Sequence, residues 1–201
     1  MLISSFFLVA CPSAPKAPFD YRHVQAGKWR AKVEIDIKGK SKDHTLTINF
    51  KSIKAEKKVR ADISAILGIH LASVVVDGNS YQALLIKKKI YREGRGNHQL
   101  IPKEVFGVAI DLRILPAVLY DESINAVGWV CHSDGKGFLQ DCDNATERTR
   151  LEVTGRDGVN KSVKLLGDGY SINFKFDNFS PDERFTEKTF NLPIPKGFKR
   201  I

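Results

Sequence analysis

Residues 27–41 read GKWRAKVEIDIKGKS, and within them Trp29, Ala31, Val33, Ile35 and Ile37 alternate with Arg30, Lys32, Glu34, Asp36 and Lys38. Successive side chains of an extended chain point to opposite faces, so this period of two predicts a strand with one face in a core and the other in water. The next segments keep the same beat. HTLTINFKSI (44–53) puts Leu46, Ile48 and Phe50 on one face, and KVRADIS (58–64) does so with Val59, Ala61 and Ile63. LASVVVDG and SYQALLIKKKIYREG follow across Asp77-Gly78-Asn79, a connection short enough to force antiparallel pairing.

In the second half, INAVGWVCHS, GFLQDC, RTRLEVTGRDG, KSVKLLGDG and YSINFKFDNF are strand-like, with Asp157-Gly158 and Asp168-Gly169 as further hairpin turns. Ten or eleven strands in meander order must close or curl to protect their edges. The fold expected is therefore mainly β, a half-open antiparallel barrel.

One stretch breaks the period. In IPKEVFGVAIDLRILPAVLYDE, the residues Val105, Phe106, Ile110, Ile114, Leu115, Val118 and Leu119 recur at spacings of three and four, which is helical. Asp111 is a candidate cap for a second short helix, and Pro116 is expected to remove a backbone bond or kink it. A helical insert in a meander buries its apolar stripe at the barrel mouth, so residues 102–120 read as a lid carried by Phe106, Ile110, Ile114, Leu115 and Leu119. The alternative is a helix that caps one end without enclosing anything. Under the lid, the apolar faces led by Trp29, Val33, Ile35, Leu46, Ile48 and Phe50 are the candidate cavity wall.

The chain has 201 residues, 42% hydrophobic and 27% charged, which suits one ordinary domain and excludes a disordered chain. It opens MLISSFFLVACPSAPKAP, an apolar stretch ending in Leu-Val-Ala-Cys and followed by an aperiodic Pro/Ala/Lys segment. That pattern reads as an export signal over 1–10. The tetrapeptide resembles the bacterial lipobox, which implies that Cys11 becomes the lipidated N-terminus, carrying diacylglycerol and palmitate-type chains. Met1–Ala10 hold no Lys or Arg, so the true start is expected upstream. Pro12 stands where Asp would mark inner-membrane retention, which points to the outer membrane. Residues 11–26 are then a tether with a short helix near Phe19 to Ala26, and 27–201 the folded domain. Export also makes the other cysteines legible: Cys131 and Cys142 flank the reversal at Asp134-Gly135 and Gly137, and a hairpin disulfide follows. The competing metal reading, with His132, lacks both the spacing and a fourth ligand.

Two stretches then resemble the Lol lipoprotein-sorting family, with its periplasmic carrier branch LolA and its lipid-anchored outer-membrane receptor branch LolB. VRADISAILGIHLASVVVDGNSYQALLIKKKIYREG (59–94) follows the family's order of strand, apolar Leu-Gly loop, hydrophobic strand, Asp-Gly turn and lysine-tyrosine strand. FTEKTFNLPIPKGFKRI (185–201) resembles the carrier branch more than the receptor branch. The resemblance spans roughly 27–201 and implies a half-open barrel with a helical lid over an apolar cavity. It also implies a membrane-insertion loop in Ala65-Ile66-Leu67-Gly68-Ile69, with Leu67 at the position of the receptor's exposed leucine. Three large aliphatics at a reversal are unusual, because loop tips are normally polar; the other reading folds Ile66 and Leu67 back into the core.

The function expected is a monomeric outer-membrane lipoprotein receptor on the periplasmic face, accepting acyl chains from a periplasmic lipoprotein carrier and delivering them to the inner leaflet of the outer membrane. The carrier itself, or another envelope lipid-binding or sensor lipoprotein of this fold, is the alternative. Such work is binding and transport: no catalytic residue, metal or cofactor is expected, and no GxSxG, HExxH, P-loop or dinucleotide turn occurs. The net charge of +9 favours anionic partners. The cluster Lys87, Lys88, Lys89, Arg92 and Arg95 around Tyr91 raises nucleic acid, which export argues against. A solvated basic face and a surface drawn to anionic headgroups both remain.

Overall fold

In the computed structural model, residues 16–39, 44–95, 100, 101, 103–181 and 183–201 are described. The first half of the chain forms β1 (Ala26–Ile37), β2 (His44–Ile53), β3 (Lys58–Ala65), β4 (His70–Asp77), β5 (Ser80–Leu85) and β6 (Ile90–Arg95). The second half forms β9 (Trp129–Ser133), β10 (Leu139–Asn144), β11 (Thr149–Asp157), β12 (Asn160–Gly167) and β13 (Tyr170–Pro181), with β14 (Lys199–Arg200) at the C-terminus. Between them lie β7 (Leu100–Ile101), α1 (Lys103–Phe106), β8 (Ile110–Asp111) and α2 (Leu115–Tyr120).

Twelve strands make one sheet in the order β14-β6-β5-β4-β3-β2-β1-β13-β12-β11-β10-β9. Each half is an up-and-down meander, and the antiparallel pairing of β1 with β13 joins the halves in the middle. A register shift beside Arg30 lets the long central pair bend, as bulges do. The sheet is curled and open, with β9 and β14 as its outer strands. It thus has the half-open architecture that the alternation predicts, with two-residue pieces adding to the expected strand count. Turn chemistry sets the register: Asp77 pairs with Ser80, Asp157 with Asn160 and Gly167 with Tyr170, each across two residues.

The topology dictates where the lid runs. Strand β6 lies toward one side of the sheet and β9 forms the other outer strand, so the chain joining them crosses the open side. It does so in more pieces than the two short helices expected. The α1 helix stops at Gly107 (φ 77°), β7 and β8 pair as a separate two-stranded ribbon, and a 3-10 turn over Leu112–Ile114 leads into α2. Asp111 caps that turn, its carboxylate accepting from the Arg113 N–H at 2.9 Å. Pro116 does not kink anything: it sits in the first turn of α2, where a backbone N–H has no intrahelical partner. The helix expected near Phe19 to Ala26 is also shorter, a 3-10 turn at Tyr21–His23, because β1 begins at Ala26. The preceding segment is docked on the β11–β12 turn, with the Phe19 N–H donating to the Gly158 carbonyl at 2.8 Å.

The core fills the concave side. All six of Trp29, Val33, Ile35, Leu46, Ile48 and Phe50 are buried there, facing Phe106, Ile110, Leu112, Ile114, Leu115, Val118 and Leu119 of the lid. A second, smaller core lies on the convex side. The alternation sends Val75, Leu84 and Tyr91 outward, yet they are buried under Phe190 and Leu192 of the C-terminal segment, which ends by adding β14 parallel to β6. Leu192 donates its N–H to Gln82 Oε1 at 3.0 Å, and Arg60 reaches the Thr189 carbonyl at 3.0 Å. Cys131 and Cys142 are joined by a disulfide directly across β9 and β10, with Cα atoms 4.0 Å apart, which staples an outer strand to the sheet.

Candidate functional site

The apolar face and the lid form the first part of the site. Tyr120, at the end of α2, stands edge-on to the Trp29 indole at 5.3 Å and donates its hydroxyl to Ser52 Oγ at 2.8 Å. Burial pushes the Tyr120 phenol up to about 12, so it stays a neutral donor. The lid residues occupy the space that the sequence assigns to a cavity. The room left beside them is a recess of about 200 Å³ lined by Ala109, Asp111 and Ile114 of the lid and by Trp129, Glu147, Thr149, Leu165 and Tyr170 of the sheet. That is smaller than the roughly 300–1,000 Å³ of ordinary ligand pockets, whereas a second recess of about 460 Å³, bordered by Trp29, Phe50, Asn49, Asp62 and Asn178, falls inside that range. The first recess lies along the seam between lid and sheet. Trp29 and Trp129 also leave their indole N–H groups without a partner.

The lid is anchored by charge. Asp121, the residue capping α2, takes the left-handed conformation (φ 57°) and turns a side chain with 0% exposure into the core. There it accepts from Arg156 Nη1 at 2.5 Å and from Lys161 Nζ at 3.1 Å. Lys161 is equally buried, donates to the Leu119 carbonyl at 3.0 Å and lies 4.0 Å from the centre of the Tyr21 ring. Burial holds its ammonium down at about 8, against the pull of Asp121. The sequence reading missed this triad, although a signal exists: period two places Lys161 on the inward face with Val163 and Leu165.

The loop after β3 forms the second part. Leu67 is 94% exposed and Ile69 63%, so the loop is not folded back into the core. The side chain of Ile66 and all of Cys11 lie outside the described residues. Leu67 (φ 71°) and Gly68 (φ 77°) are both left-handed, and the Ala65 N–H closes the reversal on the Ile69 carbonyl at 2.9 Å. A left-handed leucine costs about 1 kcal/mol relative to glycine, so the loop holds its leucine outward at a cost in stability. The recess and this loop share one end of the barrel, because β3 ends and β11 and β13 begin there.

Other candidates separate from the site. Lys87, Lys88 and Lys89 form the exposed β5–β6 turn, whereas Arg92 and Arg95 lie along β6. His132, Asp141 and Asp143 meet on the β9–β10 hairpin, with the His132 ring 2.8 Å from Asp141. Arg150 already bridges both carboxylates at 3.4 Å, which supplies the cluster's cation from within the protein. No described helix is long and apolar enough to cross a membrane.

No family model matches the chain, and no curated protein matches it either. Solved structures do share its fold. A LolA superfamily protein from Nitrosomonas europaea superposes with a TM-score of 0.54 at 8% identity, covering 85% of this chain and 91% of that one. A DUF1329 family protein from Desulfovibrio piger gives 0.51 at 14% identity with the same coverage. The fold is LolA-like: an open curled sheet with a lid on its concave side.

Proposed function

We propose that this chain is an outer-membrane lipoprotein receptor: it takes lipoprotein acyl chains between the concave sheet and a lifting lid, and releases them into the bilayer that its Leu67 loop touches. The observation that carries this reading is the exposed, left-handed Leu67 at the same barrel end as the seam under the lid. The fold supports the coarser part, a lipid carrier of the LolA type; the loop supports the finer one. Physically the cycle is a transfer between apolar sinks. Each buried CH₂ is worth about 0.8 kcal/mol, so acyl chains leave water for the opened concave face and leave that face for hydrocarbon. Lipidation of Cys11 would hold the barrel at the periplasmic side of the outer membrane.

A second reading, the soluble periplasmic carrier, is favoured by the C-terminal segment, whose Phe190 and Leu192 cover the convex face in the stretch that resembles the carrier branch. Two measurements separate the possibilities. Displacement of a fluorescent fatty-acid probe should show saturable acyl binding, and its absence would remove both readings. Mass spectrometry of the native protein should find Cys11 acylated; an unlipidated soluble chain would select the carrier.

A further inference from the structure

We infer that the barrel end bearing Leu67 is a docking surface for an anionic phospholipid bilayer, with lysines around the aliphatic tip recognising headgroup phosphates. The inference rests on the receptor reading of that loop and adds the chemistry of the membrane it meets.

Strands β4 and β5 are neighbours, and the Ile86 N–H donates to the Leu71 carbonyl at 2.9 Å, so the turn after β3 and the turn after β5 emerge side by side. The first presents Leu67 and Ile69, and the second presents Lys87, Lys88 and Lys89. A third segment joins them. The Lys199 N–H donates to the Lys89 carbonyl at 2.8 Å, and β14 runs parallel to β6 from this end, which brings the Pro195-Lys196-Gly197 turn beside the lysine turn with Lys196 exposed. Residues 65–71 and 86–90 contain no Asp or Glu.

An aliphatic tip with ammonium groups on the turn beside it matches an interface with phosphate at its surface and hydrocarbon beneath. The lysines bring the chain to the membrane, and the leucine enters it. A nucleic acid would satisfy the lysines alone and leave the exposed Leu67 and Ile69 without a partner, so the bilayer is the occupant that uses both features.

The test uses the full chain with Cys11→Ser, which removes the acyl anchor. It is sedimented with vesicles of phosphatidylcholine alone or mixed with phosphatidylglycerol, at low salt and at about 1 M, where charges are screened beyond ~3 Å. Binding should be tighter to the phosphatidylglycerol vesicles and should lose that preference in high salt. Each lysine near an anionic surface is worth roughly fivefold in affinity, so Lys87→Gln with Lys89→Gln should lower binding about 25-fold, with an unchanged melting temperature. Leu67→Glu should weaken binding to both compositions. Equal affinity for the two vesicle types, or an unaffected lysine variant, would overturn the inference. So would a DNA duplex bound as tightly as the anionic vesicles and indifferent to Leu67→Glu. The fatty-acid probe keeps the two readings apart. Acyl binding without a lipid preference removes only the docking surface, whereas a lipid preference without acyl binding supports the surface and removes the receptor.

Discussion

Asp121 and Leu67 share a backbone conformation that side chains rarely adopt, and everything else about them differs. Asp121 sits at φ 57° with its carboxylate sealed in the core between Arg156 and Lys161, and its conformation ends the lid helix where the lid meets the sheet. Leu67 sits at φ 71° with its side chain in solvent. In the first case tertiary contacts hold the conformation; in the second only a local turn does, closed by the Ala65 N–H on the Ile69 carbonyl. Lys57, Lys89 and Arg148 are left-handed in turns too, so what sets Leu67 apart is a large aliphatic side chain held in solvent.

The largest effect should come from Asp121. Asp121→Asn keeps a residue that tolerates the left-handed turn but leaves the buried Lys161 and the partly buried Arg156 without their counter-charge, which costs about 3–5 kcal/mol in a denaturant melt. Lys161→Met should cost much less, because Arg156 still pairs with Asp121 and an apolar chain suits the site. Equal losses from the two variants would show that the triad is not what fixes the lid.

The pH dependence sharpens the same point. The folded Lys161 loses its proton near 8, whereas an unfolded lysine keeps it to about 10.4. Between those values the unfolded chain binds more protons, so stability attributable to Lys161 rises with pH. Tyr120 opposes this above about 10, where the unfolded phenol ionises first and the buried one, at about 12, does not. Stability of the wild type minus that of Lys161→Met should therefore climb from pH 8 to 10; a flat difference would mean that Lys161 is not desolvated.

Leu67→Gly should give a small effect, with the opposite sign. Glycine adopts the left-handed conformation freely, so the variant should be more stable by up to about 1 kcal/mol, read as a raised melting temperature. A loss of stability would mean that the leucine makes contacts in solution.

The contrast also explains what the sequence made legible. Period two in residues 29–37 and the Asp-Gly turns carry the sheet, because side-chain alternation and turn geometry are local. The apolar spacing and the Asp111 cap show the lid and one of its breaks, but not the β7–β8 ribbon, because pairing between segments nine residues apart leaves no periodic trace. Val75 and Leu84 fall on the outward face of the alternation and are buried there by the C-terminal segment. The uninterrupted Val74-Val75-Val76 was the sign of a strand covered on both faces. The Asp121 triad depends on residues 35 and 40 positions apart, so only the inward-facing Lys161 hinted at it. Leu67 stood out because turn tips favour residues that the aliphatic loop does not use.

The most direct test of the account is lipoprotein transfer by Leu67→Glu, with acceptance of acyl cargo and its delivery to membranes measured separately. Stability should change by no more than about 0.5 kcal/mol, as exposed positions usually do. Acceptance should match the wild type, because the concave face and lid are untouched, and delivery should fail. A stable variant that delivers cargo as well as the wild type would contradict the claim that this loop meets the membrane.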